Sequence, residues 1–203
     1  MKVIFLDNDG VICLSNNWGS RLKKQKEWGG RKLSMTSREI PVEYRFDNFD
    51  EKAIKVLNSI LEETGAEIVV SSDWRLYASI EELGDYYEAQ GIIKRPIDGT
   101  EIFHYTNWLE EGFIKPDGEF PWSLNESREQ ERHFEIKRWL RDHTEVTHWV
   151  AIDDLHMGVH VENSSYGPFD REDWGLENFV WTPRDFEGIK QSGKKEKILK
   201  FLI

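Results

Sequence analysis

Three groups of small oxygen-bearing residues each stand directly after a short apolar run. Asp7 and Asp9, with Asn8 between them, follow Val3-Ile4-Phe5-Leu6; Ser71-Ser72 follow Ile68-Val69-Val70; Asp153-Asp154 follow Val150-Ala151-Ile152. Four carboxylates and two hydroxyls brought together would repel unless a cation lay among them. An all-oxygen donor set suits Mg²⁺, which keeps several waters and works with phosphate oxygens. Asp7 and Asp9 face the same way only while the chain stays extended, and Gly10 supplies a sharp turn afterwards. A plainer reading is that these residues end strands and cap helices, as Asp and Ser often do. One such end would deserve that reading; three, each behind an apolar run, argue for a site.

The runs must then be strands whose ends meet. Residues 2–6, 66–70 and 146–152 read as buried strands, and residues 178–182 as a fourth. Between them lie helical patterns. Asp50 caps a helix whose Ala53, Ile54, Leu57, Ile60 and Leu61 share a face, and Gly65 closes it. A second helix is predicted over 77–90, stopped by Gly91. A third opens on a Ser127/Gln130 capping box, with Ile136, Trp139, Leu140 and His143 on one face, and a terminal helix covers 194–202. Alternating strands and helices predict an α/β fold, a three-layer Rossmann-like parallel sheet whose strand ends converge on one edge. Residues 15–48 and 94–125 show no clear period and read as loop-rich insertions, leaving room for at most a minimal cap.

The 203 residues predict one domain, 1–203, and 38 % hydrophobic with 32 % charged residues is a soluble balance. No run approaches the 18 or so apolar residues a membrane span needs, and the opening Met1-Lys2 followed by a short strand does not read as a signal peptide. Cys13 stands alone, so neither an internal disulfide nor a cysteine zinc cluster is available. A cytoplasmic location is the expectation, with no membrane and no obligate protein partner. The net charge of −11 argues against wholesale coating of nucleic acid. Between Cys13 and Arg45, however, eight Lys and Arg face three Glu, which suits either a phosphate-facing segment or a solvated loop. Nine tryptophans suggest core packing first and base stacking second. The six histidines show no ligand spacing, and no G-x-G-x-x-G follows the first strand, which disfavours a dinucleotide enzyme.

Phe5-Leu6-Asp7-Asn8-Asp9-Gly10-Val11 resembles the first motif of the haloacid dehalogenase-like (HAD) phosphohydrolases, Ile68-Val69-Val70-Ser71 their second, and Val150-Ala151-Ile152-Asp153-Asp154 their fourth. Within that superfamily, Ser71-Ser72-Asp73-Trp74-Arg75, Asp98-Gly99-Thr100 and Arg132-x-x-Glu135-Ile136-x-x-Trp139-Leu140 are similar to the HAD domains linked to Swiss Army Knife RNA repair proteins. The resemblance implies Mg²⁺-dependent phosphoryl transfer through an aspartyl-phosphate. Asp7 would be the nucleophile, Asp9 the acid and then the base, and Ser71 the holder of a phosphoryl oxygen, with Ser72 and Arg75 beside the phosphate. Asp153 and Asp154, with Asp7 and Asp9, would hold the metal.

The family also expects a cation at its third motif, and two residues compete. Lys137 has the usual type. Arg132 lies near the helix start, on the active edge, four residues before core-facing Ile136. Lys137 falls about 7.5 Å further down the axis and roughly 100° away from Ile136's direction. Helix geometry favours Arg132 as catalytic, with Lys137 kept as a substrate-binding candidate. The expected substrate is a phosphate monoester, either a phosphorylated small molecule such as a nucleotide or a nucleic-acid end. The rival readings are a non-catalytic HAD-fold nucleic-acid-binding module and a phospho-accepting signalling protein. Retention of both Asp7 and Asp9 counts against the first rival, and Ser71 at the later strand's end counts against the second.

Overall fold

A computed structural model of the chain describes residues 1–29, 40–102, 127–161, 169–170 and 175–203. Its strands are β1 (Lys2–Leu6), β2 (Glu67–Val70), β3 (Asp98–Gly99), β4 (His148–Asp153), β5 (His160–Val161), β6 (Phe169–Asp170) and β7 (Phe179–Trp181). Five of them form one sheet in the order β3-β2-β1-β4-β7, and every pairing in it is parallel. Leu6 pairs with Val70 on one side and Ile152 on the other, so the ends of β1, β2 and β4 lie level. The order runs one way from β1 to β2 and the other way to β4. This reversal opens a crevice at the carboxyl end of β1, where ligands bind in open α/β sheets.

Alternation along β1 builds the layers. Ile4 and Leu6 enter one core with Leu57, Leu83 and Ile198; Val3 and Phe5 enter the opposite core with Ile136 and Trp139. Both faces of β1 are therefore covered, which is why its sequence is continuously apolar rather than alternating. The first face is covered by α3 (Glu51–Thr64), α4 (Ile80–Ala89) and α6 (Lys194–Leu202), and the second by α5 (Ser127–Asp142). Phe5 meets Trp139 edge-on, with ring centroids 5.3 Å apart. Burying each such side chain contributes about 1.5–3 kcal/mol.

The caps explain the helix limits. Asp50 Oδ1 accepts from the Ala53 amide at 2.8 Å, and Gly65 ends α3 with φ +69°. The helix expected over 77–90 instead begins at Ile80. Ser79 caps it and Glu82 returns the bond, while Asp73–Leu76 forms a 3-10 turn that ends before it. Residues 15–48 are also less irregular than expected, because α1 (Ser20–Gly29) and α2 (Val42–Arg45) fall within them. Among its residues α1 buries only Gln25, so it carries no apolar stripe to announce a helix. β3, inside the other expected insertion, spans two residues, too few for a period. The Ser127 and Gln130 side chains lie outside the described residues, as do Arg31, Lys32 and Arg38.

Candidate active site

Backbone pairing continues past the strands and brings the polar ends together. The Asp7 amide donates to the Ile152 carbonyl at 3.1 Å, and the Ser71 amide to the Leu6 carbonyl at 2.9 Å. After Asp7 the chain folds tightly back: the Asn8 carbonyl accepts from the Ile12 amide at 3.0 Å and the Cys13 amide at 2.8 Å. Buried Asn8 is held in turn by the Tyr87 hydroxyl, which donates to its Oδ1 at 2.6 Å. Gly10 has φ +67°, and a Cβ there would fall 2.3 Å from Asp154 Oδ2. Only glycine lets the first-motif turn lie against the fourth-motif acid.

Asp7, Asp153 and Asp154 each offer a carboxylate oxygen, and these three atoms lie within 4.8 Å of one another. Burial drives the Asp153 carboxyl well above the usual carboxylate range against the pull of Arg132, with Asp7 and Asp154 adding repulsion. Asp154 is pushed up to about 7 by burial and by the Asp7 charge. Three acids that resist ionising together, all with oxygen donors, fit a hard divalent cation. Asp9 stands outside this three-acid cluster. Its Oδ2 accepts from Trp74 Nε1 at 2.9 Å, and burial with the Asp7 charge raises it to about 6 despite that bond.

Between Lys137 and Arg132, the guanidinium is the one the structure brings to the cluster. Arg132 Nη1 lies 3.1 Å from Asp7 Oδ1 and 3.0 Å from Asp153 Oδ2, and donates to the Ser71 carbonyl at 2.5 Å. Its Nη2 reaches Asp73 Oδ1 at 2.9 Å. Burial alone would depress this guanidinium, but Asp153, Asp7 and Asp73 outweigh it and hold the charge firmly. Lys137 sits half-buried further along α5, where its charge joins burial in pushing the His133 imidazole down to about 3.

Asn8 Nδ2, Ser71 Oγ and Arg132 Nε are buried polar atoms with no hydrogen-bond partner among the described residues. The Ser71 hydroxyl, level with Asp7, therefore has hydrogen-bonding capacity that the described residues do not use. Ser72 is wholly buried and serves the local turn, its Oγ accepting from the Trp74 amide and its carbonyl from Arg75 Nε at 2.7 Å. Arg75 also donates to Glu135 Oε2 at 2.8 Å and to the Thr100 carbonyl and hydroxyl. These bonds, with Trp139 Nε1 donating to Asp98 Oδ2 at 2.6 Å, tie β2, β3 and α5 into one brace under Arg132.

Reading from residue types alone missed Asp73 as Arg132's partner and left Trp74's role open. Trp74 is both core and site: it stacks on Phe46 at 4.2 Å between centroids while its N–H holds Asp9. Cys13 is buried, and burial beside Asp9 pushes its thiol well up, as expected for an unactivated cysteine. Among the described residues of the basic segment, Arg45 and Lys24 are tied into the fold. Arg45 is buried and forks onto both Glu82 oxygens at 2.7 and 3.0 Å, while Lys24 donates to Asn48 Oδ1 at 2.8 Å and Tyr86 at 3.2 Å. Lys23 and Lys26 are exposed.

A parallel sheet with acids, a hydroxyl and a buried guanidinium at its switch point defines a HAD-type α/β protein. The sequence model of the HAD domain in Swiss Army Knife RNA repair proteins matches residues 3–174, and the chain belongs to that family. No curated protein and no solved structure matches it. Among the described residues no helix is long and apolar enough to cross a membrane.

Proposed function

We propose that the protein is a Mg²⁺-dependent phosphohydrolase acting through an aspartyl-phosphate on Asp7, with a nucleotide or nucleic-acid-end phosphate as substrate. The observation that carries this reading is the placement of Asp7. Its carboxylate shares a buried guanidinium with Asp153 and clusters with Asp153 and Asp154, and the Asp9 carboxyl of raised pKa stands two residues on. A divalent cation held by Asp7, Asp153 and Asp154 would neutralise carboxylate and phosphate charge so that one anion can approach the other, leaving the Asp9 carboxyl, outside that cluster, for proton transfer.

An Asp7 oxygen attacks phosphorus, the bond to the leaving oxygen breaks, and Asp9 gives that oxygen its proton. Arg132 and the Ser71 hydroxyl hold phosphoryl oxygens as charge builds on them. In the second half Asp9 takes a proton from water, the water oxygen bonds phosphorus, and the Asp7–phosphorus bond breaks. Inorganic phosphate leaves and both acids return to their starting forms. Asp9 suits both halves because a carboxyl that titrates at about 6 is available in either protonation state.

The test is a phosphate-release screen with and without Mg²⁺ over mononucleotides, 3′- and 5′-phosphorylated oligonucleotides, sugar phosphates and an aryl phosphate. Release should need the metal and vanish in Asp7→Asn, since an amide does not attack phosphorus. Acid-quenched wild type should carry labelled phosphate that Asp7→Asn lacks. Release by Asp7→Asn at the wild-type rate would remove Asp7 from the nucleophile role.

A further inference from the structure

A cavity of about 780 Å³ opens alongside β7 and the start of α6, within the size range of small-ligand sites. The hydrolytic steps use none of its walls. Among the described residues His156, Phe179 and Trp181 form an aromatic side, Lys194 and Lys197 a cationic one, and Glu177 stands at the lining. The cavity adjoins the carboxylate cluster, because Trp181 Nε1 donates to the Asp154 carbonyl at 2.8 Å and His156 follows Asp154 by two residues. The His156 ring packs on Trp181 with centroids 4.5 Å apart, so the aromatic side is a built surface.

The lysines differ from their neighbours. Lys190 pairs with Asp50 at 3.0 Å and Lys195 pairs with Glu63, so those two serve packing against α3. Lys194 and Lys197 lie three apart on one face of α6, and their ammonium groups have no hydrogen bond or ion pair among the described residues. Burial, with the charges of Lys197 and Arg184, lowers the Lys194 ammonium from its usual value. Like charges kept together on a chain of net charge −11 are a place where an anion relieves repulsion.

We propose that this cavity is a nucleotide subsite, in which a base lies against Trp181, Phe179 and His156 and a phosphate other than the one hydrolysed pairs with Lys194 and Lys197. Aromatic faces accept any base, and paired ammonium groups accept a phosphate without reading sequence. Glu177 offers an acceptor to an exocyclic amine. The assignment rests on the phosphatase reading in one respect, that the scissile phosphate lies at Asp7. The base and second phosphate can come from a free nucleoside bisphosphate or from a polynucleotide end.

The test compares the full chain with Lys194→Gln/Lys197→Gln, both carrying Asp7→Asn so that binding is read without turnover. Probes are inorganic phosphate, a nucleoside 3′,5′-bisphosphate and a 5′-phosphorylated tetranucleotide, followed by tryptophan fluorescence. The double substitution should weaken a nucleotide probe about tenfold more than it weakens inorganic phosphate. For the tetranucleotide, the slope of log K on log salt should become shallower by about 1.4, and Lys194→Arg/Lys197→Arg should restore it. A loss confined to the bisphosphate makes the free nucleotide the source; a loss confined to the tetranucleotide makes it the chain; a loss with both means that one nucleotide unit suffices. Equal weakening of all three probes overturns the subsite. Nucleotide binding that depends on the lysines, from a wild type that releases no phosphate from any substrate, keeps the subsite and overturns the phosphatase. Phosphate release with no such dependence does the reverse.

Discussion

Arg132 is a buried cation shared by three carboxylates, and that sharing sets what its loss should do. Arg132→Ala leaves Asp7 and Asp153 facing each other without a counter-charge, a change that costs about 3–5 kcal/mol in buried pairs. Urea unfolding should show that loss, and phosphate release should fall more than for Lys137→Ala. Lys137→Ala, at a half-buried position away from the acids, should stay within about 0.5 kcal/mol of wild type. The opposite ranking in activity would place the phosphate along the helix at Lys137. A subtler change is Trp74→Phe, which keeps an aromatic ring against Phe46 and removes the N–H that favours ionised Asp9. Without that donor the carboxyl should titrate above its present value of about 6. In the proposed mechanism the leaving group takes its proton from Asp9, so the descending limb of kcat/KM against pH should move upward for substrates with poor leaving groups. A limb that stays in place would mean another group supplies the proton.

At the scale of elements, the close approach of two loops decides the site. The first-motif turn and the end of β4 meet at Gly10 and Asp154. There φ is +67°, and a Cβ would come within 2.3 Å of Asp154 Oδ2, leaving no room for a side chain. Gly10→Ala should therefore raise the Mg²⁺ midpoint for activity about tenfold or more and lower Tm by a few degrees, since a left-handed non-glycine residue costs about 1–2 kcal/mol. An unchanged Mg²⁺ midpoint would show that Asp154 is free to move without loss. The strand ends that build this meeting were legible in the sequence because their signal is local: Leu6 then Asp7, Val70 then Ser71, Ile152 then Asp153. Arg132 was legible too, from helix direction and its four-residue spacing to Ile136. The brace beneath it was not, because Arg75 finds Glu135 across 60 residues and Thr100 across 25, and no period connects them. Helix α1 was hidden for a different reason: it packs on α2 through buried Gln25 and a ring contact, Trp28 on Tyr44 at 5.5 Å between centroids, with no apolar stripe to announce it.

For the whole molecule, the acids that suit a cation are a stability liability without one. Asp9 is raised to about 6 and Asp154 to about 7, and Asp153 also lies well above its ordinary range. A carboxyl whose folded pKa exceeds its unfolded one binds more protons in the native state between those two values, so unfolding free energy falls as pH climbs through that window. The contribution is complete below about pH 4, where both states are protonated, and is lost as pH rises through about 6 for Asp9 and about 7 for Asp154. In chelator, these groups should therefore lower Tm between pH 5 and pH 8, most steeply between about pH 5 and 6, where the native state holds the most extra protons. A divalent cation reverses the preference by favouring the ionised acids, so its stabilisation should grow with pH. At a hundred times its Kd a single ion contributes about 2.7 kcal/mol, which for a chain of this size is a Tm rise of about 5–11 °C at pH 8. At pH 5 the rise should be much smaller, because protons compete for the same oxygens. Asp154→Asn should flatten the chelator profile and shrink the Mg²⁺ shift together, since one carboxylate is responsible for part of both. Scanning calorimetry at pH 5 and pH 8 reads all of these. A Mg²⁺ shift equal at the two pH values, or the same in Asp154→Asn as in wild type, would put the cation somewhere other than these acids.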